Sequence, residues 1–312
     1  MNLLHIITPI NLAEEEEKFF ASDNYNPIFE YDWDNVNLDK LDLTRNKDKL
    51  IYSIINQDIL NLVVNAETFF ETELDEAVLQ QAKSIVSNPP EKVPPQNISD
   101  LAKRFEEVFK EFSINFKVEV VDQKGFNIRP LNIGSKLIIS KYANMDFFTI
   151  EGEIRHELVH IIRYLNGKFN NISWSANYLP TEEGLATCMH DYSKANRSDA
   201  SLFQHASEYA VTEICLSGSL RDAFNFLVNI GLSEELAYQR VVRHKMGFVD
   251  TSKPGDIMKP AMYFYHSLKV SKLSNNEKLI LFNGKISVDE IKDYDGYKGV
   301  IEKGKVEGFY RI

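Results

Sequence analysis

The 312-residue chain is poor in cysteine, short of positive charge and without a long apolar run, and each deficit narrows what it can be. Its two cysteines, Cys188 and Cys215, sit far apart with no C-x-x-C spacing, which argues against a disulfide framework and for reduced core thiols. Lys and Arg number 35 against 46 Asp and Glu, a formal net charge of −11. Nucleic acid and anionic membrane surfaces would be repelled at long range, so neither is expected as a partner. No stretch approaches the length that spans a bilayer. The start "MNLLHIITPINLAEEEE" also lacks the basic region, the uninterrupted apolar run and the small-residue cleavage site of a secretory signal, so a cytoplasmic protein is expected. Repeats and low-complexity tracts are absent as well. With 44 % hydrophobic residues, the chain has the material for one large domain or two modest ones.

Residues 1 to 48 are polar and uneven, and the acidic run Glu14 to Glu17 reads as solvated surface. From Leu50 to about Val86 the spacing of Leu50, Ile54, Ile55, Ile59 and Leu62 predicts helices. "SNPPEKVPPQN", residues 87 to 97, then breaks the chain, because four prolines in so few residues cannot continue a helix. The break either separates an N-terminal, mainly helical region (1–97) from a second domain (98–312) or is a long loop within one domain. Beyond it, Ser99 is a candidate cap for a helix through "DLAKRFEEVFKEF", and "FKVEVV" and "KLIIS" read as strands. After residue 180 the pattern is helical to about residue 274 and ends in short strands and turns around "LILFNGK". The expected class is α+β, predominantly helical with a small sheet.

The most informative stretch is "IEGEIRHELVHIIRYLNG", Ile150 to Gly167. Ile150, Ile154, Leu158, Ile161, Ile162 and Leu165 recur with helical spacing, and Gly167 follows as a natural stop. His156, Glu157 and His160 spell H-E-x-x-H on that helix. Residues at i and i+4 have Cβ atoms roughly 6 Å apart, which lets two imidazoles reach one ion. Glu157, rotated slightly around the axis, is placed to take a proton from water polarised by a bound zinc. The plain alternative is a surface helix with solvated histidines. A metzincin is excluded, because Arg163 and Asn166 stand where that subclass needs glycine and a third histidine. In zincin-like peptidases an edge strand beside the metal helix holds extended substrate, and "KLIIS" is the candidate, if it is not simply an ordinary sheet strand.

Downstream, "LPTEEGLAT" spans Leu179 to Thr187. Thr181 after Pro180 is a candidate N-cap, which puts Glu182 and Glu183 in the first turn of a second helix. Either carboxylate can complete a shell of two histidines and an open position, or both can merely complement the helix dipole. Gly184 costs roughly 1 kcal/mol inside a helix unless something packs closely on it, and the metal helix is the expected neighbour.

"HELVHIIRYLNG" followed by "EEGLA" resembles the tyrosine carboxypeptidase family, which includes microtubule-associated detyrosinating enzymes and the bacterial QEGLA-motif proteins. "YNPIFEY", "RVVRHKMG" (Arg240 to Gly247), "KPAMYFY" (Lys259 to Tyr265) and "LFNGKI" (Leu281 to Ile286) match as well. The resemblance implies a zinc metallopeptidase with one Zn2+ per chain that removes a C-terminal, tyrosine-like residue from a peptide or protein. It implies His156, His160 and Glu183 as ligands and Glu157 as the base. Two departures stand out. The family pattern has one more residue between its histidines, and Glu182 replaces the glutamine of QEGLA.

A carboxypeptidase must hold a terminal carboxylate, best with a forked guanidinium, and Arg240, Arg243 and Lys259 lie in the matching segments. Each is equally readable as a surface charge. Tyr263 and His266 are candidate donors to a developing oxyanion, Tyr263 the better because its position falls in the resemblance. His190 and His205 receive no role. An endopeptidase or aminopeptidase with the same site, or a non-catalytic regulator keeping the fold, are the competing functions, and the oligomeric state is not legible.

Overall fold

Helix caps and apolar spacing set the order of the elements. The computed structural model describes residues 3–90, 96–123, 126–132, 134–143, 148–191 and 199–312. The chain begins with helices α1 (Leu3–Ile7), α2 (Leu12–Phe20), α3 (Asn46–Ile55), α4 (Ile59–Phe70), α5 (Glu76–Val86) and α6 (Ile98–Glu111). Strands β1 (Lys117–Val121), β2 (Ile128–Leu131) and β3 (Lys136–Ser140) follow. Helices α7 (Ile150–Phe169), α8 (Tyr178–Asp191), α9 (Asp199–Ser217), α10 (Leu220–Asn229) and α11 (Glu234–Lys245) come next, and α12 (Lys259–Ser271), α13 (Asn275–Leu281) and α14 (Lys303–Tyr310) complete the chain. The α+β expectation, helical with a small sheet, holds. Residues 91–95 of the proline-rich break lie outside the described residues.

The chain divides into two compact units, one of residues 1–89 and 205–265, the other of 90–204 and 266–312. In the first, α3 and α4 pack together, as do α10 and α11. "YNPIFEY" pairs with the segment after "RVVRHKMG": the Phe29 amide donates to Val249 O (2.8 Å), and the Tyr31 hydroxyl donates to Phe248 O and accepts from the Gly247 amide. Positive φ at Gly247 (89°) suits glycine there. The acidic run is not uniformly solvated. Glu15 is buried, accepting from the Tyr25 hydroxyl, the Ile28 amide (both 2.7 Å) and Lys18 (2.8 Å). A buried carboxylate with three donors ties α2 to the following segment.

The second unit builds its core from Leu101, Phe105 and Val108 of α6, Leu137 and Ile139 of β3, Ile154, Leu158 and Ile161 of α7, and Leu185 and Met189 of α8. Helix α6 is capped by the Asn97 side chain rather than by Ser99, whose amide is the group capped (2.8 Å). The sheet order is β1-β3-β2, with β1 parallel and β2 antiparallel to β3. "KLIIS" is therefore the central strand, and both its edges are already paired, so it has no free edge for a substrate. Strand β2, only four residues with Pro130 inside, carries too little periodicity to be read from sequence.

Three further expectations are corrected by packing. Helix α7 runs through Gly167 to Phe169, and a Cβ at Gly167 would stand 3.2 Å from Gly284 Cα, so this glycine serves a close backbone approach and not a stop. Helix α8 starts at Tyr178, with Pro180 in its first turn where no intrahelical N–H is required. Thr181 is inside it and its hydroxyl accepts from the Val288 amide (3.0 Å). Past residue 274 no strand forms among the described residues; α13, a 3-10 helix at Val288–Asp293 and α14 stand there instead.

Candidate metal centre

Helix α7 is started by Thr149, whose hydroxyl accepts from the Gly152 amide, with Glu151 and Glu153 in its first turn. Two turns on, His156 and His160 lie along one side, their rings edge to face with centroids 5.2 Å apart. Helix α8 packs on α7 and brings Glu183 to them. Its Oε2 lies 3.7 Å from His156 Nε2 and 3.6 Å from His160 Nε2. All three side chains are mostly buried, and their donor atoms lie within 4.8 Å of one another.

Those separations exceed hydrogen-bond length and suit a shared cation. Two ligands each roughly 2.0–2.1 Å from a tetrahedral zinc stand about 3.4 Å apart. Two imidazoles and a carboxylate are also the donor set that a catalytic zinc takes when it keeps one position open. The residues present fit the ion.

The neighbouring glutamate faces a different partner. Glu182 Oε1 accepts from His160 Nδ1 (2.9 Å) and from Lys285 Nζ (2.7 Å), while Oε2 is 3.5 Å from Arg163 Nη1. Burial alone would raise its carboxyl; the His160 hydrogen bond and the Lys285 charge hold it at about 2 instead. A carboxylate on Nδ1 sets the tautomer that leaves Nε2 as the ligand atom. Of the two glutamates, Glu183 is thus the one that meets both histidines, and Glu182 stands behind one of them.

Glu157 is buried, and its Oε2 has no hydrogen-bond partner among the described residues. Burial, opposed by the charge of His160 and reinforced by Glu153, Glu183 and Glu182, pushes its carboxyl up to about 8. Burial would lower the His160 imidazole, yet Glu183, Glu182 and Glu157 together push it up to about 9. The three carboxylates that favour a proton there would also favour a divalent cation.

Arg163 and Asn166, which exclude the metzincin pattern, have structural work of their own. Arg163 is fully buried and donates to Gly284 O (2.9 Å) and Ile286 O (2.6 Å). Asn166 donates to Phe282 O (2.8 Å) and accepts from the Val300 amide (2.9 Å). Together they dock the "LFNGKI" segment on α7. Sequence reasoning quoted that segment only as a match and overlooked Lys285 within it; a buried-charge role for a lone lysine leaves no local periodic signal. It also misplaced the neighbour of Gly184. A Cβ there would meet Cβ, C and O of His266 in α12 at 2.7, 2.8 and 2.9 Å, so the close partner is α12 and not α7. His190 packs its ring on Gly152 and stands 6.1 Å from the His156 ring.

The remaining candidates belong to the other unit. Arg240 and Arg243 both donate to Oε1 of the buried Glu208, at 2.9 and 2.7 Å. Tyr263 stacks on His205 (5.8 Å) and lies under the Arg243 guanidinium (5.7 Å). The Arg243 side chain is 32 % exposed against 10 % for Arg240, so Arg243 is the better placed to meet a further anion. Lys259 opens α12 and is half-buried. In the same unit Cys215, His244 and Asp256 cluster, all fully buried. Asp256 is already engaged by His244 Nδ1 (2.7 Å) and the Met258 amide (2.6 Å), and burial keeps the Cys215 thiol protonated. Lys245 beside it sits among four backbone carbonyls, those of Cys215, Gly218, Lys253 and Gly255. This cluster reads as a buried polar core, in which His244 Nε2 has no hydrogen-bond partner among the described residues.

No family model matches the chain. Among curated proteins it is similar to microtubule-associated tyrosine carboxypeptidase 1 of Mus musculus, 28 % identical over 177 residues, which is 53 % of this chain and 37 % of the relative. The rat and human proteins of that name are each 27 % identical over 53 % and 52 % of the chain and 36 % of their own length. The chain thus spans just over a third of the length of these relatives, and the resemblance to the tyrosine carboxypeptidase family holds.

Proposed function

We propose, from this kinship with tyrosine carboxypeptidases as premise, that the chain is a zinc-dependent, zincin-like metallocarboxypeptidase that removes a C-terminal residue, tyrosine-like, from a peptide or protein. The observation that carries the reading is the meeting of His156 Nε2, His160 Nε2 and Glu183 Oε2 beside the unpartnered Oε2 of Glu157. His156, His160 and Glu183 would hold the ion. When bound, zinc supplies Lewis acidity at this place, polarising a carbonyl and making water a stronger acid.

The chain's own residues do the rest. Glu157 would accept the proton of the attacking water and deliver it to the leaving amine, and a cation bound beside it would favour the carboxylate form that acceptance needs. Glu182 keeps the His160 ring oriented. Arg243, with Arg240 and Lys259 as further candidates, would recognise the terminal carboxylate, and Tyr263 would donate to the oxyanion; substitution of each tests these roles by the split between KM and kcat. A cytoplasmic setting, consistent with two free cysteines, belongs to the same proposal.

The experiment is metal analysis of the purified chain together with a library of peptides whose C-termini are free or amidated. Stoichiometric zinc and release of one terminal residue from free-ended peptides only, abolished in Glu157→Gln with zinc retained, is the expected result. Cleavage of amidated peptides would make it an endopeptidase, and unchanged turnover in Glu157→Gln would end the assignment.

A further inference from the structure

Two adjacent glutamates on α8 compete in principle for one cation, and the structure shows what separates them. Glu182 Oε1 receives two donors, His160 Nδ1 at 2.9 Å and Lys285 Nζ at 2.7 Å. The Lys285 side chain is only 6 % exposed, so its ammonium has given up most of its water to reach this carboxylate. Its ammonium lies over the rings of Trp174 and Tyr178, with Nζ 4.6 and 4.9 Å from their centroids.

The backbone on either side of Lys285 is fixed as well. Gly284 O and Ile286 O accept from Arg163 of α7, and Lys285 O accepts from the Ser175 amide at 2.9 Å. The lysine therefore leaves a segment clamped on the histidine helix and returns its charge to the glutamate helix. A neutral residue in that place would remove the Nζ donor that holds Glu182 Oε1 at 2.7 Å and turned away from the cation. Without that donor nothing on the Lys285 side would keep the carboxylate on His160 Nδ1, and it could swing toward the ion as a rival ligand.

We propose that Lys285 is a positioning residue of the metal centre: by holding Glu182 on the Nδ1 side of His160, it presents Nε2 to the cation and leaves Glu183 as the only carboxylate ligand. The inference rests on the metal reading above and adds to it a residue about a hundred positions away in sequence from both glutamates.

The test measures the zinc dissociation constant of the full chain by competition with a chromophoric chelator, with the visible spectrum of the Co2+ form as a second readout. Wild type is compared with Lys285→Met, Lys285→Arg and a control, Lys278→Met, which removes another buried lysine that donates to Ser271 O instead. Melting of the metal-free chains is recorded alongside. Lys285→Met should bind zinc roughly 10–100-fold more weakly, the range for losing outer-shell support, and shift the Co2+ spectrum. Lys285→Arg, which keeps the charge, should retain most of the affinity, and Lys278→Met all of it. Should Lys285→Met fail to fold, Lys285→Gln against Lys285→Arg makes the same comparison. Equal zinc affinity in the charged and neutral variants overturns the proposal, even if melting falls. Failure of wild type itself to take up zinc overturns the metal reading instead.

Discussion

Replacing Gly184 by alanine should destabilise the protein, although intrinsic helix propensity says the reverse. Alanine is favoured over glycine in a helix interior by about 1 kcal/mol. Against that, the new Cβ would lie 2.7 Å from His266 Cβ, 2.8 Å from its carbonyl carbon and 2.9 Å from its carbonyl oxygen. Unstrained heavy-atom contacts stand at about 3.5–4.0 Å, so the overlap approaches about 1 Å, and it is largely with backbone that no rotamer change can move. Relief requires α8 to part from α12, at a cost of about 1–3 kcal/mol. The net effect is a loss of up to about 2 kcal/mol, or a few degrees in Tm for a domain of this size. Gly308→Ala is the matched control, because nothing lies within 4 Å of a Cβ there, and it sits within α14. Urea and thermal unfolding should show opposite signs for the same chemical change, and Gly184→Ala should also weaken zinc binding because Glu183 is the preceding residue. A Gly184→Ala protein as stable as wild type, with zinc affinity intact, would refute the packing argument.

Other outcomes follow from the same geometry. Glu183→Gln should abolish stoichiometric zinc, whereas Glu182→Gln should weaken it roughly 10–100-fold, and calorimetric titration of the two variants separates ligand from support. Glu208 is buried, and although burial alone would raise its carboxyl, Arg243 and Arg240 hold it at about 2. A depressed folded pKa contributes stability above the unfolded value near 4.5 that is lost as pH falls toward 2, so melting should decline across that window and Glu208→Gln should flatten it. That variant should also be less stable at pH 7 by about 3–5 kcal/mol, since two guanidinium groups lose their shared carboxylate; a melting curve unchanged from wild type would contradict this. Asn166→Ala strands the Val300 amide and the Phe282 carbonyl, costing about 1–3 kcal/mol per group, and hydrogen exchange at residues 282–301 should quicken. Exchange rates unchanged there would mean the segment is held by other contacts.

The helix of the two histidines was legible because its information is local: apolar spacing places its core face, and the i, i+4 relation of His156 and His160 is a property of any α-helix. The pair Glu182 and Glu183 was legible only as a pair. Adjacent residues on a helix point about 100° apart, so which carboxylate meets the imidazoles depends on how α8 is rotated against α7. That rotation is set by contacts remote in sequence, including His266 on Gly184 and Val288 on Thr181. Glycines misled for the same reason, since Gly167 reads locally as a stop and is in fact a contact point for Gly284.

By itself, then, the sequence determined the helical character of the chain, the small sheet and the turn of α7 that sets His156 and His160 side by side, all of them encoded in periodicity over a few residues. Tertiary structure alone decided that "KLIIS" is flanked on both edges, that residues 205–265 join residues 1–89 in one unit, and that Lys285 reaches Glu182. Such choices depend on which distant surfaces bury one another and which buried charges find partners, and neither is written in any short window of residues.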